Sequence, residues 1–194
     1  MERLPYSCRC AVSVELANQL REKGSWCGET HLQKAMYILQ DLSKSNFGYK
    51  FVIYKHGPYS FDFSSELSAM RAADIFEFRF PQQGYGPSIV PTEFGAKIRE
   101  IQFENIREFE EVTRFLADWF AGHDVRYLEK IATAYFITTK SPRLPAKERA
   151  DKLHSLKPHI DISSAEEAVR VVDEKRELAA KQLALKTPDS RRRS

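Results

Sequence analysis

Residues 48–72, GYKFVIYKHGPYSFDFSSELSAMRA, decide the reading of the fold. Tyr49-Lys50-Phe51-Val52-Ile53-Tyr54 is aromatic and β-branched and is bounded by Gly48 and by Gly57-Pro58, so it reads as a strand. Gly57 permits an unusual backbone angle and Pro58 fixes a turn. Beyond the turn, Ser60 suits an N-cap, Asp62 places an acid in a first helical turn, and Phe63, Leu67 and Met70 form an apolar stripe. These features predict a helix from Ser60 to about Ala73. Turn and cap account for Gly57, Pro58 and Ser60. They leave Lys55, His56 and Tyr59 for a partner, beside a helix N-terminus with its free backbone donors and positive dipole end.

Upstream, residues 13–23 place Val14, Ala17 and Leu20 on one face and stop at Gly24, which predicts a first helix after a short irregular arm. Thr30 and Gln33 match a capping box ahead of Leu32, Met36, Leu39 and Leu42 at helical spacing. Downstream, Phe76-Glu77-Phe78-Arg79-Phe80 alternates as a half-buried strand, Pro81 to Ser88 is a turn-rich loop, and Ile89-Val90 can return as a second strand. The order helix, helix, strand, helix, strand, loop, strand is close to a winged helix-turn-helix, with an extra strand before the third helix.

The remainder reads as helical. Phe94, Ile98 and Ile101 share a face, and Ile106, Phe109, Val112, Leu116 and Phe120 continue apolar spacing after a bend near Phe103, to a stop at Gly122. Asp124 caps a further helix carrying Leu128, Ile131, Tyr135 and Phe136. A short helix near Lys147 to Leu156 follows, and Ser163 with Glu166, or Ser164 with Glu167, starts the last one. The fold class expected is mainly α with a small β-sheet: a winged helix-turn-helix-like core over 12–103, a helical extension over 104–186 packed on it, and a disordered basic tail over 187–194.

The 194 residues are 42% hydrophobic and 12% aromatic, enough for a packed core, which argues against intrinsic disorder. The formal charge of +3 is carried entirely by Lys186, Arg191, Arg192 and Arg193 against Asp189, so the body is neutral. Affinity for nucleic acid comes largely from cations on phosphate, and a neutral body predicts weak nonspecific binding. No run approaches the roughly 18 to 20 apolar residues of a membrane span, and the start MERLPYSCRC lacks the apolar stretch of a signal peptide. A cytoplasmic protein without membrane contact is expected.

Catalytic motifs of the Walker, GxSxG and HExxH types are missing, and Gly84-x-Gly86 lacks a third glycine. His56 could act as a base toward Ser60, yet Asp62 is better explained by the helix dipole than as a third triad member. Glu108, Glu110 and Glu111 read as a solvated helix face, and His123, His154 and His159 as surface histidines. Cys8, Cys10 and Cys27 are an odd number, which favours free thiols; joining them to His31 gives an irregular zinc spacing that straddles a helix. Neither catalysis, nor a cofactor, nor a metal is expected.

Three segments, LQKAMYILQDLS (32–43), GYKFVIYKHGPYSFDFSSEL (48–67) and IVPTEFG (89–95), together resemble the Panacea antitoxin domain and the related YwgA-like bacterial proteins. The resemblance covers roughly 12–103, and more weakly 128–136 and 157–168. Phe61, Asp62 and Phe63 occupy the place where those families carry a Pro-Glu-Leu-like triplet. The resemblance implies a mostly helical fold with a small winged sheet and a noncatalytic role, binding a partner protein that is often a toxin encoded nearby. The candidate partner-binding residues are Lys55, His56, Tyr59, Ser60, Ser64, Ser65, Arg71 and Arg79. The alternative is a winged-helix DNA-binding regulator, in which Ser64, Ser65 and Arg71 would enter the major groove while Arg79 and the loop over 81–88 touch backbone.

Overall fold

A computed structural model describes residues 2–80 and 86–184. The expected tail over 187–194, the end of the extension, and most of the loop over 81–88 lie outside these residues. The chain is mainly helical with two short antiparallel strand pairs. It divides into two compact units, one up to Thr133 and one from Ala134, so the division falls inside a helix.

The first unit is built on α1 (Tyr6–Glu22), in which every residue from Cys8 to Ala17 is buried. The predicted irregular arm is thus largely helical. A helix buried all round has no apolar face to give it a period, so only its more amphipathic second half was legible. Two charges inside it are neutralised: Arg9 grips Glu66 through Nε at 2.9 Å and Nη2 at 2.8 Å, and Glu15 meets Arg99. Gly24, at φ +80°, follows the helix end.

Helix α2 (Glu29–Ser43) packs against α1 and buries Leu32, Met36 and Leu39. It starts at Gly28 without a side-chain cap, so the predicted capping box does not form. The Gln33 amide turns instead to the backbone of Ser60, a tertiary contact that sequence spacing cannot show.

The expected strand over 49–54 is shorter, β1 (Val52–Tyr54), and it pairs with a strand the sequence reading missed, β2 (Gly57–Tyr59). The register is Val52 to Tyr59, Ile53 to Pro58 and Tyr54 to Gly57. The stretch read as punctuation is therefore the returning half of a hairpin. Helix α3 (Phe61–Ala72) follows directly, capped by the Ser60 hydroxyl, which accepts from Phe63 N–H at 3.3 Å, and it buries Phe63, Leu67 and Met70.

Strands β3 (Phe76–Arg79) and β4 (Ser88–Pro91) form the second pair, and Ser88 also bridges to Gly28 between α1 and α2. The two pairs are separate sheets rather than one winged sheet. Helix α4 (Glu93–Ile101) is capped by Thr92 and turns Phe94 and Ile101 outward, because it seats Gly95 against the Ile75 carbonyl; a Cβ there would lie 2.4 Å from that oxygen. The short α5 (Phe103–Ile106), a 3-10 turn and α6 (Glu110–Phe120) then bury Ile106, Phe109, Val112, Leu116 and Phe120.

Asp124 caps α7 (Val125–Lys140) by accepting from Tyr127 N–H at 2.8 Å. In the second unit α8 (Ala146–Leu156) packs on α9 (Ile162–Ala184), and Arg149 holds Asp173 through two 2.7 Å bonds. The cap of α9 is Asp161, which accepts from Ser164 N–H at 2.8 Å, in place of the serines proposed from sequence. Among the described residues no helix is long and apolar enough to cross a membrane.

Candidate functional site

The hairpin and the start of α3 have a buried back and an exposed front. At the back, the positive φ of the turn falls on Gly57 (+88°) and not on Lys55 or His56, the pattern of a type I turn completed by a glycine. A Cβ on Gly57 would meet Thr133 Oγ1 at 2.8 Å. Lys34, itself buried, donates from Nζ to the Pro58 carbonyl at 2.9 Å. The Gln33 amide closes a two-way clamp on Ser60, accepting from its N–H at 2.9 Å and donating to its carbonyl at 3.1 Å. Pro58 and Ser60 are thereby held against α2, and Gly57 lies too close to α7 for a side chain.

Ser60 accordingly leaves the set of contact residues. It is buried, its hydroxyl is occupied as the cap, and His56 Nδ1 lies 3.6 Å from Glu129 Oε2 instead.

At the front, Lys55 and His56 are exposed at the turn. Three rings stand together beside them: Tyr54 to Tyr59 at 5.7 Å between centroids, Tyr54 to Phe61 at 5.5 Å, and Tyr59 to Phe61 at 5.1 Å. Tyr54 is 46% exposed and Phe61 58%, and Val52 adds a further exposed apolar side chain. Lys55 Nζ sits over the Tyr54 ring at 6.0 Å. Aromatic faces of this kind, fixed and wet, are unusual for a monomer surface unless something covers them. Sequence reading singled out Tyr59 but not Tyr54 or Phe61, whose exposure depends on the hairpin pairing that brings residues 54, 59 and 61 together.

Glu29, the first residue of α2, joins the front to the helix behind it. Its Oε1 accepts from Tyr59 Oη at 3.0 Å and from Ser64 Oγ at 2.7 Å. Partial burial pushes the Tyr59 phenol above its ordinary pKa; the Ser64 hydroxyl opposes this and the Glu29 carboxylate adds to it. Ser65 and Arg71 are exposed on α3, with the Arg71 guanidinium 4.3 Å from the centre of the Phe78 ring. Arg79 pairs with Glu77 at 2.7 Å. Of the sequence candidates, then, Lys55, His56, Tyr59 and Ser64 share one front, while Arg79 stands on the β3–β4 pair.

The three cysteines are free and buried, and among the described residues no cluster of three or more His, Cys, Asp and Glu side chains could hold a metal ion. Burial pushes the Cys27 thiol up to about 12. His31, read from sequence only as a fourth zinc ligand, is 4% exposed in α2, and burial with Lys34 nearby lowers its pKa. No family model, curated protein or solved structure matches the chain.

Proposed function

We propose that this chain is a noncatalytic interaction module of the antitoxin type, which binds a protein partner through the front of the β1–β2 hairpin. The observation that carries the reading is the exposed ring cluster Tyr54, Tyr59 and Phe61 held on a buried polar clamp. Binding surfaces draw much of their energy from rigid aromatic anchors, which lose little entropy on contact. Lys55 and His56 supply a polar rim, and Glu29 an acid bonded to Tyr59 and Ser64. The motif likeness to Panacea-type antitoxins points the same way and suggests a toxin encoded nearby as the partner.

The test is capture followed by disruption. A tagged chain should bring down a defined protein, a neighbouring gene should be toxic when expressed alone, and the double substitution Tyr54→Ser, Phe61→Ser should abolish both capture and protection. Capture and protection that survive this change would remove the basis of the proposal.

DNA binding by a winged helix is the second reading. It is favoured by the order α1, α2, α3, β3, β4 and by the Gly28 to Ser88 bridge, which ties the β3–β4 pair to the junction of α1 and α2. Exposed Ser65 and Arg71 would then face the groove. Against it, Glu29 occupies Tyr59 and Ser64, and Glu77 occupies Arg79, so the surface that would meet phosphate carries its own acids. A mobility shift with genomic fragments at low salt decides between them: binding that weakens steeply with salt supports DNA, and none at low salt ends that reading.

A further inference from the structure

Among the described residues β1 pairs with β2 alone, so each strand of this two-stranded sheet has an edge that no further strand completes. On β2 that edge is taken up by α2: the Pro58 carbonyl accepts from Lys34 Nζ, and the Gln33 amide holds the Ser60 N–H and carbonyl. The edge of β1 is different. Pro58 has no N–H, so its cross-strand neighbour Ile53 stands in a non-hydrogen-bonded pair, and the Ile53 N–H and C=O point away from β2. Neither group meets a hydrogen-bond partner among the described residues. An open edge of this kind is a template for one more strand.

Val52 and Tyr54, on either side of Ile53, are exposed, and Tyr54 belongs to the ring cluster with Tyr59 and Phe61. A strand added beyond β1 would therefore set alternate side chains beside them. Two features say what that strand is. An N–H and a C=O on one residue call for an acceptor and a donor at strand spacing, which a peptide backbone carries and a phosphate backbone does not. The edge is also basic: Lys50 and Lys55, both exposed, stand at its two ends. The nearby acid, Asp62, turns its carboxylate to the Lys50 N–H at 3.5 Å. A second copy of the chain is disfavoured on the same ground, because antiparallel pairing of two β1 strands about Ile53 would bring Lys50 of one copy beside Lys55 of the other at each end, and like charges across strands repel.

We propose that the free edge of β1 takes up an extended segment of the protein partner as an added strand, with apolar side chains beside Val52 and Tyr54 and acidic side chains against Lys50 and Lys55. The proposal rests on the hairpin front being the binding surface, and it adds how the partner is held: by backbone hydrogen bonds to Ile53 as well as by contact with the rings.

The probe is a synthetic peptide of alternating valine and threonine with glutamates at both ends, compared with the same peptide carrying lysines there, each titrated into the full chain and followed by NMR. The glutamate peptide should bind saturably and about tenfold more tightly than the lysine one, a preference that shrinks with salt. At about 90% occupancy the Ile53 amide should exchange about tenfold more slowly than in the free chain. Ile53→Pro removes the outward N–H and leaves the pairs Val52 with Tyr59 and Tyr54 with Gly57; it should weaken the glutamate peptide about fivefold to tenfold. Should Ile53→Pro fail to fold, exchange in the parent chain and the reversal Lys50→Glu, Lys55→Glu, which should turn the preference toward the lysine peptide, carry the test. The proposal is overturned by a glutamate peptide that does not bind, by binding that leaves Ile53 exchange unchanged, by a folded Ile53→Pro that binds as the parent does, or by a charge preference that the reversal does not move. Any of these, with partner capture that still depends on Tyr54 and Phe61, removes strand addition and leaves the front as the binding surface; capture that does not depend on the two rings removes both.

Discussion

The back and the front of the β1–β2 hairpin are built from neighbouring residues of the same short stretch, yet they obey opposite rules. At the back, Gly57, Pro58 and Ser60 are buried; Lys34 and Gln33 hold Pro58 and Ser60 through bonds of 2.9 to 3.1 Å, and Gly57 leaves no room for a Cβ beside Thr133. At the front, Tyr54, Lys55, His56 and Phe61 are exposed, with the Tyr54 and Phe61 rings edge to face at 5.5 Å between centroids. The difference teaches that the turn is a mount: its stability is supplied from behind, which frees the front residues to be chosen for contact. Substitutions at the back should therefore unfold the region, and substitutions at the front should change binding at constant stability.

The largest effect is expected for Gly57→Val. It places a β-branched residue at φ +88° and drives its Cβ toward Thr133 Oγ1. Left-handed backbone costs about 1–2 kcal/mol for such a residue, and overpacking adds about 1–3 kcal/mol. Chemical denaturation should show a loss of about 2–5 kcal/mol; a loss below about 1 kcal/mol would mean the back is not rigid.

Gln33→Leu should follow closely. It removes both bonds to the Ser60 backbone and leaves the buried Ser60 N–H unpaired, at a cost of about 1–3 kcal/mol, while the Ser60 carbonyl keeps its bond from Ser64 N–H. Hydrogen exchange at the Ser60 amide should be slow in the parent chain and fast in the variant.

Acidification comes next. The folded pKa of His31 is lowered, first by burial and then by Lys34, so the unfolded chain, at about 6.5, takes up its proton more readily. The His31 contribution to stability is therefore fully present above about 6.5 and is lost as pH falls from there toward the lower folded value. Melts between pH 7.5 and 5 should show this decline, and His31→Gln should flatten it. Tyr49 works at the alkaline end: burial, then its 2.6 Å bond to Glu66, raises its phenol, so stability falls above about pH 10 and Tyr49→Phe should reduce that fall.

The smallest change in stability belongs to the front. Tyr54→Ser with Phe61→Ser should remain within about 1 kcal/mol of the parent, because both rings stand about half in water already.

Legibility in the sequence divides along the same line. Ser60 as the cap of α3, its stripe of Phe63, Leu67 and Met70, and the stops at Gly24 and Gly122 are local features, and they appear where spacing places them. The hairpin did not show, because Gly57-Pro58-Tyr59 has the composition of a turn; Pro58 is tolerated in a strand here because β2 is an edge strand in a two-stranded sheet. Nor did the roles of Gln33, Lys34, Glu29 and His31, all on α2, whose partners are 24 to 35 residues away in sequence where they are hydrogen-bonded at all. Local propensity reveals where the chain turns. It does not reveal which buried polar group waits at the turn to receive it.

The most direct measurement pairs partner capture with thermal melting for Tyr54→Ser, Phe61→Ser and for Gln33→Leu on the same day and from the same preparation. The account predicts that the front variant melts with the parent and captures nothing, while Gln33→Leu melts well below the parent and captures in proportion to what remains folded. A front variant that captures as the parent does, or that loses capture only because it has unfolded, would contradict it.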